Sequence, residues 1–332
     1  MKHNLKVMIL GSTSFGGRCL IKKLLDERFT VIGTSRSTEN NKIFLPYYDH
    51  PYLFLFTHYE LDINENITLL LKLMDREKPD IIVDFAGQGM VAQSWDFPEQ
   101  WYNTNLVAKS KIHNHLKSVT YLNKYIRIST PEVYGSTDEI IDETANYNPS
   151  TPYSISHAAI DMNLLAYNKN YNFPAIIARF ANFYGPYQQL YRIIPKAFYC
   201  AITNETLFLQ GGGTSIRSFI HGYDVADGII LLIEKALPGT IFHFSTEEFL
   251  SIKDVVEKIS KINGIEQEEF VKISEDRLGK DQAYLMSSEK AKKILGWSVK
   301  YSFDEGLLEC FSWIKHNLKD IKNSSLNYVH KI

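Results

Sequence analysis

Along the chain, short apolar runs alternate with longer stretches in which apolar residues return at helical spacing. Leu5 to Leu10 reads as a strand, and Phe15 to Glu27 as a helix with Leu20, Leu24 and Leu25 on one face. Thr30 to Gly33 predicts a second strand and Tyr52 to Phe56 a third. Asn66 to Lys78 has a helical pattern that stops at Pro79, because the residue before a proline is pushed out of the helical region. Asp80 to Phe85, DIIVDF, has the composition of a buried strand. Gln100 to Leu116 (helix), Tyr125 to Ser129 (strand), Pro152 to Asn170 (helix) and Ala175 to Arg179 (strand) continue the alternation. Strands alternating with helices imply a parallel sheet with right-handed crossovers, and near-continuous apolar strands imply cover on both faces. The expected fold is a Rossmann-type, doubly wound α/β sheet.

The regular alternation ends after Gly185-Pro186, where glycine-rich and mixed segments begin. At 332 residues the chain is long enough for one large α/β domain and a smaller appended one. The expected division is 1–185 and 186–330, with the late apolar run Thr240 to Phe244 returning to the main sheet. A net charge of −2 gives no overall field to gather nucleic acid or an anionic membrane. Cys19, Cys200 and Cys310 are far apart and form no Cys-x-x-Cys pair, which argues against a disulfide framework or a zinc site. No metal is expected. The first apolar run is too short to cross a membrane, so a cytoplasmic location is expected. The polar stretch Lys319 to Ile332 is expected to fray.

The first strand runs into Gly11-Ser12-Thr13-Ser14-Phe15-Gly16-Gly17. Gly11 permits a tight turn and Gly17 lets the helix pack close to the strand. The helix N-terminus then offers free N–H groups and a positive dipole end to a pyrophosphate. Ser14 replaces the middle glycine of the usual pattern. After the second strand, Thr34-Ser35-Arg36-Ser37 stands where an NAD site expects an acidic residue; a guanidinium there suits a ribose 2′-phosphate, so NADP is favoured over NAD.

Four further segments belong together: Ser129-Thr130-Pro131-Glu132-Val133-Tyr134-Gly135, Pro152-Tyr153-Ser154-Ile155-Ser156-His157, Arg179 to Pro186, and Arg217 to His221. In this order and spacing the chain resembles the extended short-chain dehydrogenase/reductase family, within it the nucleotide-sugar 4,6-dehydratases and epimerases. Asp276-Arg277-Leu278-Gly279-Lys280-Asp281 and Leu295-Gly296-Trp297 are most similar to the dTDP-glucose 4,6-dehydratase branch. The resemblance runs from Val7 to about Trp313.

The resemblance implies a nucleotide-sugar 4,6-dehydratase whose NADP or NAD stays bound and is recycled at each turnover. Thr130 would hydrogen-bond the sugar 4-hydroxyl and Tyr153 would take its proton. Glu132 would remove the C5 proton once C4 is a ketone. Relatives place a lysine four residues after the tyrosine to stabilise its ionised form; here that position is His157, implied to hold the nicotinamide ribose. The dTDP-glucose branch also has an aspartate where this chain has Pro131, a residue unable to donate a proton, and GDP-mannose 4,6-dehydratases lack that aspartate too. Implied cofactor contacts are Gly11, Ser12, Ser14, Phe15, Gly17, Ser35, Arg36, Asp62, Ile63, Ala86, Asn105, Tyr153 and His157. Gln88, Asn182, Arg217 and Arg277 would face the nucleotide-diphosphate sugar, the arginines as diphosphate clamps. A 4-epimerase or 4-reductase is the first alternative, and a cofactor-binding sensor or scaffold without turnover the second. The helices at 100–116 and 152–170 would form a homodimer contact.

Overall fold

In the computed structural model, residues 5–39, 41–276, 279, 281–322 and 324–331 are described. The first half lays down β1 (Lys6–Leu10), α1 (Phe15–Asp26), β2 (Thr30–Ser35), β3 (Phe56–Glu60), α2 (Ile67–Glu77), β4 (Ile81–Asp84), α3 (Pro98–Tyr102), α4 (Lys109–Leu116), β5 (Lys124–Ser129), α5 (Pro152–Tyr171) and β6 (Ala175–Phe180). There follow β7 (Asn182–Tyr184), α6 (Ile193–Thr203), β8 (Leu207–Gln210), β9 (Ile216–His221), α7 (Gly222–Lys235), β10 (Ile241–Phe244), β11 (Phe249–Ser251) and α8 (Ile252–Asn263).

The main sheet has seven strands in the order β10-β6-β5-β4-β1-β2-β3, every pair parallel. From β1 the chain winds outward through β2 and β3, then crosses back to place β4 on the other side of β1. The crevice at the C-terminal ends of β1 and β4 is therefore a topological switch point, where open α/β sheets bind ligands. One face is covered by α1 and α7, with Leu20, Leu24, Val225 and Ile229 buried among Val7, Ile126 and Phe180. The other is covered through Leu70, Met74, Ile112 and Leu164. A second core, built on Phe198, Leu207, Val256, Leu307 and Trp313, lies under the small sheets β11-β9-β7 and Val271–Ser274 with β8.

Three expectations need correction. The third strand is Phe56–Glu60, not Tyr52 to Phe56, and Leu53–Leu55 is a short 3-10 turn. β3 is the sheet edge, so its sequence FTHYE is half polar, while the apolar run before it packs onto the core. The helix expected at 100–116 is interrupted by a π-helical segment at Asn103–Ala108. The tail does not simply fray: Ile321 is fully buried, and His330 stacks on Phe97 and Trp101 with ring centroids 5.4 and 5.3 Å away.

Candidate active site at the switch point

The turn after β1 is set by close approach. Gly11 has φ = +79°, and its N–H donates to the Thr34 carbonyl at 2.7 Å. A Cβ on Gly11 would lie 2.7 Å from the Ala86 nitrogen, and one on Gly17 2.8 Å from the Gly11 carbonyl oxygen. Ser14 does not merely leave room. It is the N-cap of α1, its hydroxyl accepting from the Gly17 N–H at 3.1 Å. Ser12 pairs with His58 Nδ1 at 3.2 Å, and Thr13 donates to Ser35 Oγ at 3.0 Å, which ties the turn to β2. Phe15 is buried in the core beside Gly185 and Gly222, so it can offer a ligand only its backbone. These bare-backbone surfaces at a helix start fit a dinucleotide pyrophosphate.

Around this turn, the Asp62 carboxylate accepts from the Asn64 N–H at 2.7 Å and Ile63 is buried under α2. Arg36 donates from Nη1 to the Lys331 carbonyl at 3.0 Å, and Gln88 donates to the same oxygen at 2.8 Å. The C-terminal tail thus bridges the ends of β2 and β4.

The reaction centre is built by β5 and α5. Thr130 leaves β5 in extended conformation and caps the 3-10 turn Pro131–Tyr134, accepting from the Glu132 N–H at 3.3 Å. Thr151 and Ser154 form a capping box, with Pro152 in the first turn, so Tyr153 stands at the very start of α5. Tyr153 is 8% exposed. Burial, and then the Glu132 charge, push its phenol well above the usual value; a hydrogen bond with Thr130 and the charges of Arg127 and Arg192 draw it back. The rings of Tyr153 and His157 lie 4.5 Å apart. Asn105, in the π-helical segment, accepts from the Gln88 N–H at 2.8 Å and donates to Ser156 Oγ at 3.0 Å. It knits the loop after β4, including Ala86 and Gln88, to the helix of Tyr153.

Behind the tyrosine lies a set of buried charges that the motifs did not point to. Lys109 meets Asp84 at 2.7 Å, and Arg179 meets Asp161 at 2.9 Å. Arg127 lies between them, 3.6 Å from Asp84 and 3.8 Å from Asp161, with Nη2 2.9 Å from His157 Nδ1. The available signal was a charged residue inside an apolar strand pattern, as in DIIVDF and KYIRIS.

On the substrate side, Asn182 is exposed at the start of β7. Arg217 is buried; its Nη1 donates to the carbonyls of Ile216 and Gln282, its Nη2 to that of Asp281, and its guanidinium lies 4.1 Å from the Tyr284 ring. Part of its donor fork therefore organises the loop at 281–284. Tyr284, which sequence reasoning missed, donates to Asp281 at 2.7 Å, and burial and then the Glu132 charge push its phenol up. Arg277 lies outside the described residues.

A switch-point crevice with a glycine turn, and a threonine beside a tyrosine at the start of α5, define the extended short-chain dehydrogenase/reductase class. The chain belongs to the GDP-mannose 4,6 dehydratase family, whose model matches residues 8–310. It is 31% identical to the human dTDP-D-glucose 4,6-dehydratase over 257 residues, which covers 76% of this chain and 73% of that protein. It is 30% identical over 253 residues to a trifunctional UDP-glucose 4,6-dehydratase/epimerase/reductase of Arabidopsis thaliana; that match covers 75% of the chain but only 38% of the plant protein's length. The dTDP-glucose 4,6-dehydratase of Streptomyces venezuelae, solved with NAD bound, superposes with a TM-score of 0.86 at 26% identity, covering 95% of this chain and 98% of that one.

Proposed function

We propose that the protein is a nicotinamide-dependent nucleotide-sugar 4,6-dehydratase. One observation carries the reading: Glu132 is placed so that its charge acts on Tyr153, while Thr130 hydrogen-bonds the same phenol. A threonine–tyrosine pair alone serves oxidation at C4. A carboxylate added to it supplies the base for the acidic C5 proton of a 4-ketone.

Gly11, Ser12, Ser14 and Gly17 would hold the cofactor's pyrophosphate, and Ser35 and Arg36 its adenosine ribose. Bound there, it would supply the hydride acceptor for oxidation at C4 and the hydride donor for reduction at C6. Tyr153 accepts the 4-hydroxyl proton, with Thr130 holding that oxygen. Glu132 removes the C5 proton and, because Pro131 donates nothing, also passes that proton to the departing C6 hydroxyl, which leaves as water; after hydride adds at C6, C5 takes its proton from solvent, and the proton held by Tyr153 returns to solvent. Gln88, Asn182, Arg217 and Arg277 would contact the sugar and diphosphate. The division into a cofactor-binding part, 1–185, and a substrate-binding part, 186–330, belongs to the same reading.

Two coarser features go with it. Among the described residues no helix is long and apolar enough to cross a membrane, which accords with a cytoplasmic enzyme. Val107, Ile155 and Met162 are exposed on the π-helical segment and α5, which supports a homodimer formed through these helices.

The test is mass spectrometry of protein incubated with GDP-, dTDP-, UDP- and CDP-sugars without added reductant. Loss of one water from one substrate is the expected result. An isomerised sugar of unchanged mass would replace this reading with an epimerase.

A further inference from the structure

The lysine that relatives place four residues after the tyrosine does two things at once: it brings a positive charge to the phenol and a hydrogen-bond donor to the cofactor. His157 alone cannot do the first. It is buried, and burial together with the Arg127 charge keeps its ring neutral well below the usual imidazole range. The charge has to come from elsewhere.

Arg127 on β5 is 1% exposed, and its Nη2 lies 2.9 Å from His157 Nδ1. An arginine has only donors, so Nδ1 accepts and the single ring proton must sit on Nε2. His157 Nε2 is buried and has no hydrogen-bond partner among the described residues. A fixed donor with nothing to donate to, on a ring 4.5 Å from that of Tyr153, is available to a ligand bound beside the tyrosine.

The charges packed around Arg127 decide its effect. Asp84 on β4 is shared with Lys109 of α4 and accepts from Tyr125; Asp161 on α5 is shared with Arg179 of β6 and accepts from Ser129. With Lys109 protonated, Lys109, Arg127 and Arg179 against Asp84 and Asp161 leave one positive charge in excess; burial and the Arg127 charge draw Lys109 down to about 7, so near neutrality it is Arg127 and Arg179 that hold their charge throughout. Toward the phenol, Glu132 opposes that charge and Arg192 adds to it.

We infer that Arg127 and His157 together replace the missing lysine: Arg127 holds the charge that favours ionised Tyr153, and it fixes His157 in the tautomer whose Nε2–H donates to the cofactor ribose. Arg127 is a positioning residue, since it reaches the ligand only through His157. The inference rests on the reading of Tyr153 as the proton acceptor, but its tests separate from that reading.

The first test is nitrogen NMR of histidine-labelled full-length protein at neutral pH. The expected signature is a His157 ring protonated at Nε2 and bare at Nδ1. The opposite tautomer, or a doubly protonated ring, would overturn the inference, and neither needs a substrate. The second test compares Arg127→Met, His157→Lys and the double variant. Carbon NMR reads Tyr153 ionisation, assigned with Tyr153→Phe, and the pH profile of cofactor reduction by the reactive nucleotide sugar reads function. Arg127→Met is expected to move both to higher pH by about one unit or more, lowering kcat near neutrality at least ~10-fold with KM little changed. The double variant is expected to recover most of this, because the charge has moved to position 157. An unshifted profile in Arg127→Met, or no recovery in the double variant, would overturn it. If Arg127→Met does not fold, the tautomer decides. If no nucleotide sugar reacts, the proposed reaction fails while tautomer and phenol ionisation still judge this inference.

Discussion

Gly11 lies so close to Ala86 that a side-chain carbon on the glycine would sit 2.7 Å from the Ala86 nitrogen. The ends of β1 and β4 therefore close on each other at the floor of the crevice. Gly11→Ala has to relieve both that overlap and the strain of φ = +79°. A loss of roughly 1–3 kcal/mol is expected for the strained backbone alone, together with weaker cofactor binding. Thermal denaturation and a fluorescence titration with the dinucleotide measure the two effects. Unaltered affinity would show that the turn is not the pyrophosphate cradle.

Glu132 and Tyr153 act at different steps, so their variants stop the reaction at different places. Tyr153→Phe is expected to slow cofactor reduction by about 10²–10⁴-fold. Glu132→Gln is expected to permit reduction and then stall, so that reduced cofactor and a 4-keto sugar of unchanged carbon skeleton accumulate. Rapid-quench product analysis distinguishes the two. Normal dehydration by Glu132→Gln would remove Glu132 from the mechanism.

The tail holds Arg36 and Gln88 through a single carbonyl, that of Lys331. These are the side chains proposed for the adenosine ribose and the sugar, so under that reading tail and ligands would compete for them. Removing residues 325–332 is expected to lower the dissociation constant of the cofactor several-fold, measured by calorimetry. An increase would mean that the tail forms part of the binding site.

Four histidines are held neutral by burial: His113 down to about 3, His221 to about 4, His243 to about 3, and His157 well below its ordinary value. In the unfolded chain each binds a proton near pH 6.5. The unfolded state therefore takes up more protons than the folded one below that pH, and stability is lost as pH falls from about 6.5 toward 4. Each histidine contributes up to about 1.4 kcal/mol per pH unit. Asp224, raised by burial to about 6, works in the opposite direction. Urea denaturation at pH 7 and pH 5 should show a clear fall, and equal midpoints would contradict the burial of these rings as neutral species.

Met162 is 57% exposed on α5, beside exposed Ile155. Met162→Lys is expected to convert the proposed homodimer to monomer in sedimentation at micromolar concentration, with little effect on the folded protomer. A wild-type protein that is already monomeric would rule the dimer out.

Sequence patterning captured the sheet because its central strands are buried on both faces, and continuous apolar runs such as VMIL and IIVD have little other use. It misplaced β3 because an edge strand is half solvated and its neighbouring loop is the more apolar segment. Thr130, Glu132 and Tyr153 could be proposed from the sequence because they are local to two short motifs. Arg127 and Lys109 were not, because their meaning depends on Asp84, Asp161 and His157 from other elements. Tyr284 was missed for the same reason: only the folded loop brings it toward Glu132.

The path of the chain also ties the two cores together. β10 and α7 come from beyond residue 185, yet they complete the large sheet and cover α1, while Ile43, from the first half, is buried in the second core and its carbonyl receives the Trp313 indole N–H at 3.1 Å. Each half lends the other part of its interior. Proteolytic separation at Gly185 would leave both fragments with open apolar faces, so the protein is built to melt in one cooperative step, and a ligand gripped by the smaller core stabilises the larger one as well.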